Sequence, residues 1–168
     1  LEFKPGDVVI HPAYGVCKIL GIEKINYQGA EPRPYYVVDI GNGKIWIPTE
    51  TQGEIHIRPI TSRKELSQFR EVLRSQPSPL NADRYKRSSE YKQRLRYTSF
   101  QTLCEVVRDL NAHGWDNKLN DFDSTTLRKI TERLVSEWAL ADSIPIEKAT
   151  EEINALLTEG RETYHHAA

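Results

Sequence analysis

Cysteine is nearly absent. Cys17 and Cys104 stand far apart and in no CxxC arrangement, which argues against a disulfide framework and against a zinc site; both read as small buried apolar residues. Long apolar runs are missing as well. Nothing approaches the roughly 20 residues that a membrane helix needs, and Leu1-Glu2-Phe3-Lys4-Pro5-Gly6-Asp7 lacks the features of a signal peptide, so the expected location is the cytoplasm, with no membrane partner. There is no nucleophile elbow, no dinucleotide fingerprint and no paired-carboxylate signature. None of the five histidines, His11, His56, His113, His165 and His166, stands in a metal-ligand or nucleophile-activating motif. A triad assembled in space stays open, but the reading is a protein that is not an enzyme and uses no metal or cofactor.

What is present divides in two. The chain has 168 residues, 38% hydrophobic and 28% charged, with a net charge of -1, which suits a polar globular protein with a small core in each half. From Phe3 to Pro59 the pattern is β. Val8-Val9-Ile10 reads as a short strand, Val16 to Ile25 as a longer one and Tyr35 to Ile40 as a third. Gly41-Asn42-Gly43 turns the chain into Lys44-Ile45-Trp46-Ile47-Pro48, and Ile55-His56-Ile57-Arg58 is a last strand ending at Pro59. Several short strands so closely spaced predict a small SH3- or Tudor-like β-barrel over residues 1–61. Gly41-Asn42-Gly43-Lys44 has neither the spacing nor the following helix of a P-loop, so a hairpin is the better reading.

From Ser62 the period is helical, and residues 62–168 are expected to form an all-α domain of about five helices, giving a two-domain α+β chain. Ser62 and Glu65 have capping-box spacing, and Leu66, Phe69, Val72 and Leu73 form a stripe ending before Pro77-Ser78-Pro79. A basic helix follows, with Asn81 or Asp83 as its N-cap. Phe100 to Leu110 predicts a third helix stopping near Gly114. Leu127 to Ala141 predicts a fourth, with Trp138 as a core anchor. Ile146 to Leu157 predicts a fifth, with Pro145 in its first turn and Gly160 just past its end. The polar loop from Trp115 to Asp123 holds Asp116, Asn120, Asp121 and Asp123 but lacks the central Gly and closing Glu of a calcium loop.

The densest positive charge lies in Arg84, Lys86, Arg87, Lys92, Arg94 and Arg96, opposed over that stretch by Glu90 alone. Such runs are often no more than a solvated helix face. Here Tyr85 and Tyr91 are interleaved, and Lys92 and Arg96 are like charges four apart, a spacing that costs helix stability. Cations that neutralise phosphates, beside aromatics that stack on bases, suit DNA. Residues 142–162 hold six acidic residues, Asp142, Glu147, Glu151, Glu152, Glu159 and Glu162, against Lys148 and Arg161, so charge is separated along the helical half, a polarity that would orient it on a polyanion.

The series Phe3-Lys4-Pro5-Gly6-Asp7-Val8-Val9, His11-Pro12-Ala13-Tyr14-Gly15-Val16, Ile47-Pro48, Ile55-His56-Ile57-Arg58, Glu105-Val106-Val107-Arg108-Asp109-Leu110 and Ala139-Leu140-Ala141-Asp142-Ser143 resembles the CarD/CdnL family of bacterial RNA-polymerase-binding transcription regulators. The N-terminal module of that family is shared with the transcription-repair coupling factor. The resemblance spans nearly the whole chain. It implies a barrel that binds the lobe of the RNA polymerase β subunit, with Lys44, Trp46, Pro48 and Arg58 at the contact. It also implies a helical domain on promoter DNA at the upstream edge of the bubble, a contact that the basic run then assigns, without sequence-specific base contacts, to Arg84, Tyr85, Lys86, Arg87, Lys92 and Arg94. The implied activity is control of open-complex formation or lifetime. Trp46 packing on the barrel core remains the competing reading of that residue. Many members carry a DNA-wedging Trp after an Asn at the start of the second helical segment. Here that place falls on Arg84 or Ala82, and Tyr85 is the nearest aromatic, which suggests a divergent member. An adaptor that occupies polymerase without wedging DNA is the alternative.

Overall fold

Alternation of inward and outward side chains makes the first half a sheet. In Lys44–Pro48, Ile45 and Ile47 face inward while Lys44, Trp46 and Pro48 are turned out, and Val9 and Cys17 face the same interior from the first two strands. The structure, a computed structural model, describes residues 2–26, 28–29, 31–50, 57–96 and 99–165. It divides into two compact units, Leu1–Ile60 and Thr61–Ala168. In the first unit the strands are β1 Val8–His11, β2 Gly15–Ile25, β3 Arg33–Asp39, β4 Lys44–Pro48 and β5 Arg58–Pro59. Among the described residues all pairings are antiparallel, in the order β4-β3-β2-β1-β5. A meander whose last strand returns to the first is the Tudor-like arrangement predicted. The strand expected from Ile55 is described only at Arg58–Pro59; Ile55 and His56 lie outside the described residues.

Two turns set this register. After β1 the His11 ring accepts the backbone N–H groups of Ala13 and Tyr14 at its Nδ1 (3.0 and 3.3 Å), which closes the turn into Gly15. Between β3 and β4, Gly41 takes φ +89°, a conformation costly for a residue with a Cβ, and donates to the Asp39 carboxylate at 2.8 Å. Phe3, Val9, Cys17, Ile19, Tyr36, Val38 and Ile47 fill the interior, and the Tyr36 hydroxyl accepts the Phe3 N–H at 3.1 Å.

The second unit opens on a single turn of 3₁₀ helix, Arg63–Glu65, in which the Ser62 N–H and hydroxyl both donate to Glu65. Among the described residues five α-helices follow: α1 Leu66–Arg74, α2 Arg84–Leu95, α3 Phe100–His113, α4 Asp121–Asp142 and α5 Ile146–Tyr164. Leu66, Phe69 and Leu73 of α1 join Phe100, Leu103, Val107 and Leu110 of α3, Ile130, Leu134 and Trp138 of α4, and Ala149, Ile153 and Leu156 of α5 in one core. Trp138 is fully buried and its indole N–H donates to Glu152 at 3.0 Å. Gly160 does not end α5, as its residue type suggests. It lies buried inside the helix, where a Cβ would come to 3.3 Å from the Arg74 carbonyl oxygen, so glycine is what lets the end of α1 approach α5. Among the described residues no helix is long and apolar enough to cross a membrane.

Candidate nucleic-acid interface

Helix α2 contributes least to the core: Arg87 and Tyr91 are its buried residues. Its N-terminus is fixed locally, because the Asp83 carboxylate accepts the N–H groups of Tyr85 and Lys86 at 2.9 Å, as an N-cap should. Asn81, the other candidate cap, instead accepts the Asp83 N–H at 3.0 Å.

The six expected DNA-facing residues part company. Arg87 is 4% exposed and cannot lie along phosphates. Its guanidinium donates to Asp123 from Nε and Nη2 (3.2 and 2.7 Å) and to the carbonyls of Asn81 and Ala82 from Nη1 (2.7 and 3.0 Å). A buried charge requires this degree of pairing. The expectation for Arg87 is therefore corrected: it holds α2 down. Tyr91 donates its hydroxyl to the other Asp123 oxygen, and Asn120, the N-cap of α4, donates to Asp123 at 2.7 Å. Burial raises the Asp123 pKa, but the hydrogen bonds from Arg87 and Tyr91 outweigh it and leave the carboxyl below its ordinary value. Burial, and then Asp123, push the Tyr91 phenol above its own.

Arg94 is half-withdrawn, with Nη2 donating to Glu105 at 3.1 Å and Nη1 to Asp109 at 3.5 Å. Arg84, Tyr85, Lys86 and Lys92 remain exposed. Tyr85 is 70% exposed, and the Arg84 guanidinium lies 4.5 Å from its ring centroid. Sequence reasoning passed over Phe122. In the first turn of α4 it is 48% exposed, stacks on Tyr91 with ring centroids 6.4 Å apart, and has the Lys92 ammonium 5.2 Å from its centroid. The available signal was an isolated phenylalanine in the polar run Asn120-Asp121-Phe122-Asp123. The acidic residues between Asp116 and Asp123 do not converge. Asp123 turns inward to Arg87, Asp116 meets His165 at 2.6 Å, and among the described residues no group of three His, Cys, Asp or Glu side chains could hold a metal.

On the sheet, Lys44, Trp46 and Pro48 share the outward face of β4, opposite Asp39, Val37 and Tyr35. Trp46 is no part of the core: it is 47% exposed and donates its indole N–H to Glu23 at 2.9 Å. Arg58 belongs to β5, at the opposite end of the strand order with three strands between, so β4 brings together three of the four residues expected at a polymerase contact.

Residues 3–61 match the family model of the CarD-like/TRCF RID domain, and residues 68–154 match that of the CarD C-terminal domain. The chain is also similar to a protein of Bacillus subtilis (strain 168) named "Putative transcription factor YdeB". The two are 28% identical over 144 residues, which is 84% of this chain and 94% of that protein.

Proposed function

The chain belongs to the CarD family, and from that membership we propose that it regulates transcription initiation, docking on the β-subunit lobe of RNA polymerase through the sheet and laying α2 along promoter DNA. The observation that carries the DNA part is the exposed set Arg84, Tyr85, Lys86 and Lys92 on a helix that gives little to the core. Cations so displayed neutralise phosphates and release counterions without reading sequence. On the sheet, Trp46 between Lys44 and Pro48 is an exposed aromatic on a strand that forms the edge among the described residues, the residue type and place that suit an interface anchor.

The test is promoter opening by purified polymerase, followed by the fluorescence of a base in the melted region. The intact protein is expected to change open-complex lifetime. The double variant Arg84→Glu, Lys86→Glu is expected to lose that effect while still binding polymerase, and Trp46→Ala to lose polymerase binding. An unaltered effect of the double variant would remove α2 from the mechanism. One observation favours a second reading, an adaptor that occupies polymerase without holding DNA: Arg87 and Arg94 are spent on Asp123, Glu105 and Asp109. Binding of the chain to duplex DNA that is insensitive to salt would favour the adaptor.

A further inference from the structure

Two exposed aromatic rings stand along the outward side of α2, each with a cation against it: Tyr85 with Arg84, and Phe122 with Lys92. They come from different elements, and each is held in place. Asp83 caps the turn that presents Tyr85. Phe122 stacks at 17° on Tyr91, whose hydroxyl is bound to buried Asp123, the neighbour of Phe122 in sequence. From Tyr85 to Lys92 the helix rises roughly 10 Å, about three steps of a stacked strand at about 3.4 Å each. A duplex conceals the flat faces of its bases and offers a passing helix mainly phosphates and groove edges. Exposed rings flanked by cations find a use where bases are unpaired, because every base has a face to stack.

We propose that this face binds single-stranded DNA, with Tyr85 and Phe122 as two base-stacking platforms and Lys86 and Lys92 on the intervening phosphates. The inference rests on the DNA contact proposed above and deepens it: the ligand is the unpaired strand, and the site extends from α2 onto the start of α4. Charge complementarity with a polyanion is provided by Arg84, Lys86 and Lys92, all exposed.

The experiment is fluorescence anisotropy of the full chain with a labelled pyrimidine strand of about ten nucleotides, within the range such sites cover, and with the matching duplex. The strand is expected to bind more tightly than the duplex. Phe122→Leu keeps apolar packing on Tyr91 but lacks a flat ring; it should weaken strand binding about tenfold, leave duplex binding and melting temperature unchanged, and be reversed by Phe122→Trp. Equal affinity for strand and duplex overturns the inference, as does a Phe122→Leu effect common to both. Tighter binding of an RNA strand of the same sequence overturns the assignment to DNA. Loss of all binding, duplex included, strikes the DNA contact itself, whereas duplex binding without strand preference removes only the present inference.

Discussion

Helices α1 and α2 are both short and charged, yet they are attached by opposite means. α1 turns Leu66, Phe69 and Leu73 into the core, where each apolar side chain removed from water contributes about 1.5–3 kcal/mol. α2 turns Arg87 and Tyr91 inward, both onto the single carboxylate of Asp123. A buried ion pair gains little net stability over an apolar equivalent because desolvation offsets the attraction, but its geometry is demanding. α1, although Arg70 also pairs with Asp142 and Glu152, is thus held mainly by area, and α2 mainly by direction. A helix held this way keeps its register while its outer surface stays free to carry Arg84, Tyr85, Lys86 and Lys92.

The strongest test of that contrast is to remove Asp123. Asp123→Ala leaves Arg87 buried without a counter-charge and Tyr91 without its acceptor, at a cost of about 3–5 kcal/mol. Hydrogen exchange should show α2 losing protection ahead of α1 and α5. Leu73→Ala should cost about 2–5 kcal/mol and release α1, α3 and α5 together in the same measurement. If both variants gave one exchange pattern, the two helices would not differ in attachment.

Acid sharpens the comparison without mutation. The Asp123 carboxyl sits below its ordinary value in the folded protein, while an unfolded aspartate titrates near about 3.9. Its contribution is therefore whole above that value and is lost as pH falls through the folded one. Exchange protection of α2 should hold from neutrality to about pH 4 and decline below it, and Asp123→Asn should flatten the decline. The Tyr91 phenol is shifted upward. Its contribution is complete below about pH 10 and is lost only as pH rises through the raised value, so α2 should withstand mild alkali. Loss of α2 protection near neutral pH would contradict both shifts.

A smaller effect is expected where α1 meets α5. Gly160→Ala gains about 1 kcal/mol of helix propensity, but it presses a methyl against the Arg74 carbonyl, where overpacking costs about 1–3 kcal/mol. A net loss of about 1 kcal/mol in chemical denaturation is the expected balance between them. A gain in stability would mean that the two helices part easily.

The same contrast explains what the sequence made legible. The α1 stripe at Leu66, Phe69 and Leu73 announces a buried face by composition, as do those of α3, α4 and α5, and the outward alternation of Lys44, Trp46 and Pro48 follows from strand period. On α2 the inward positions Arg87, Tyr91 and Arg94 have the same helical spacing, but two of them are cations that read as solvated. Their partners Asp123 and Asp109 are distant in sequence, and nothing local marks an arginine as paired. Tyr91 on the Arg87 side was the available clue. Gly160 misled because residue type alone cannot distinguish a helix stop from a close approach.

Charge on the outer face of α2 should matter least to stability and most to DNA. Arg84→Glu with Lys86→Glu should leave the melting temperature nearly unchanged, since exposed substitutions usually move stability by less than about 0.5 kcal/mol. The decisive measurement is the affinity of the intact chain for duplex promoter DNA as a function of salt. Arg84, Lys86 and Lys92 as the contacting cations predict a log–log slope of about -2 to -3, falling to near zero in the double variant. A slope near about -5, as all six basic residues would give, or one unchanged by the double variant, would contradict the account of α2 as a clasped helix with a small exposed basic face.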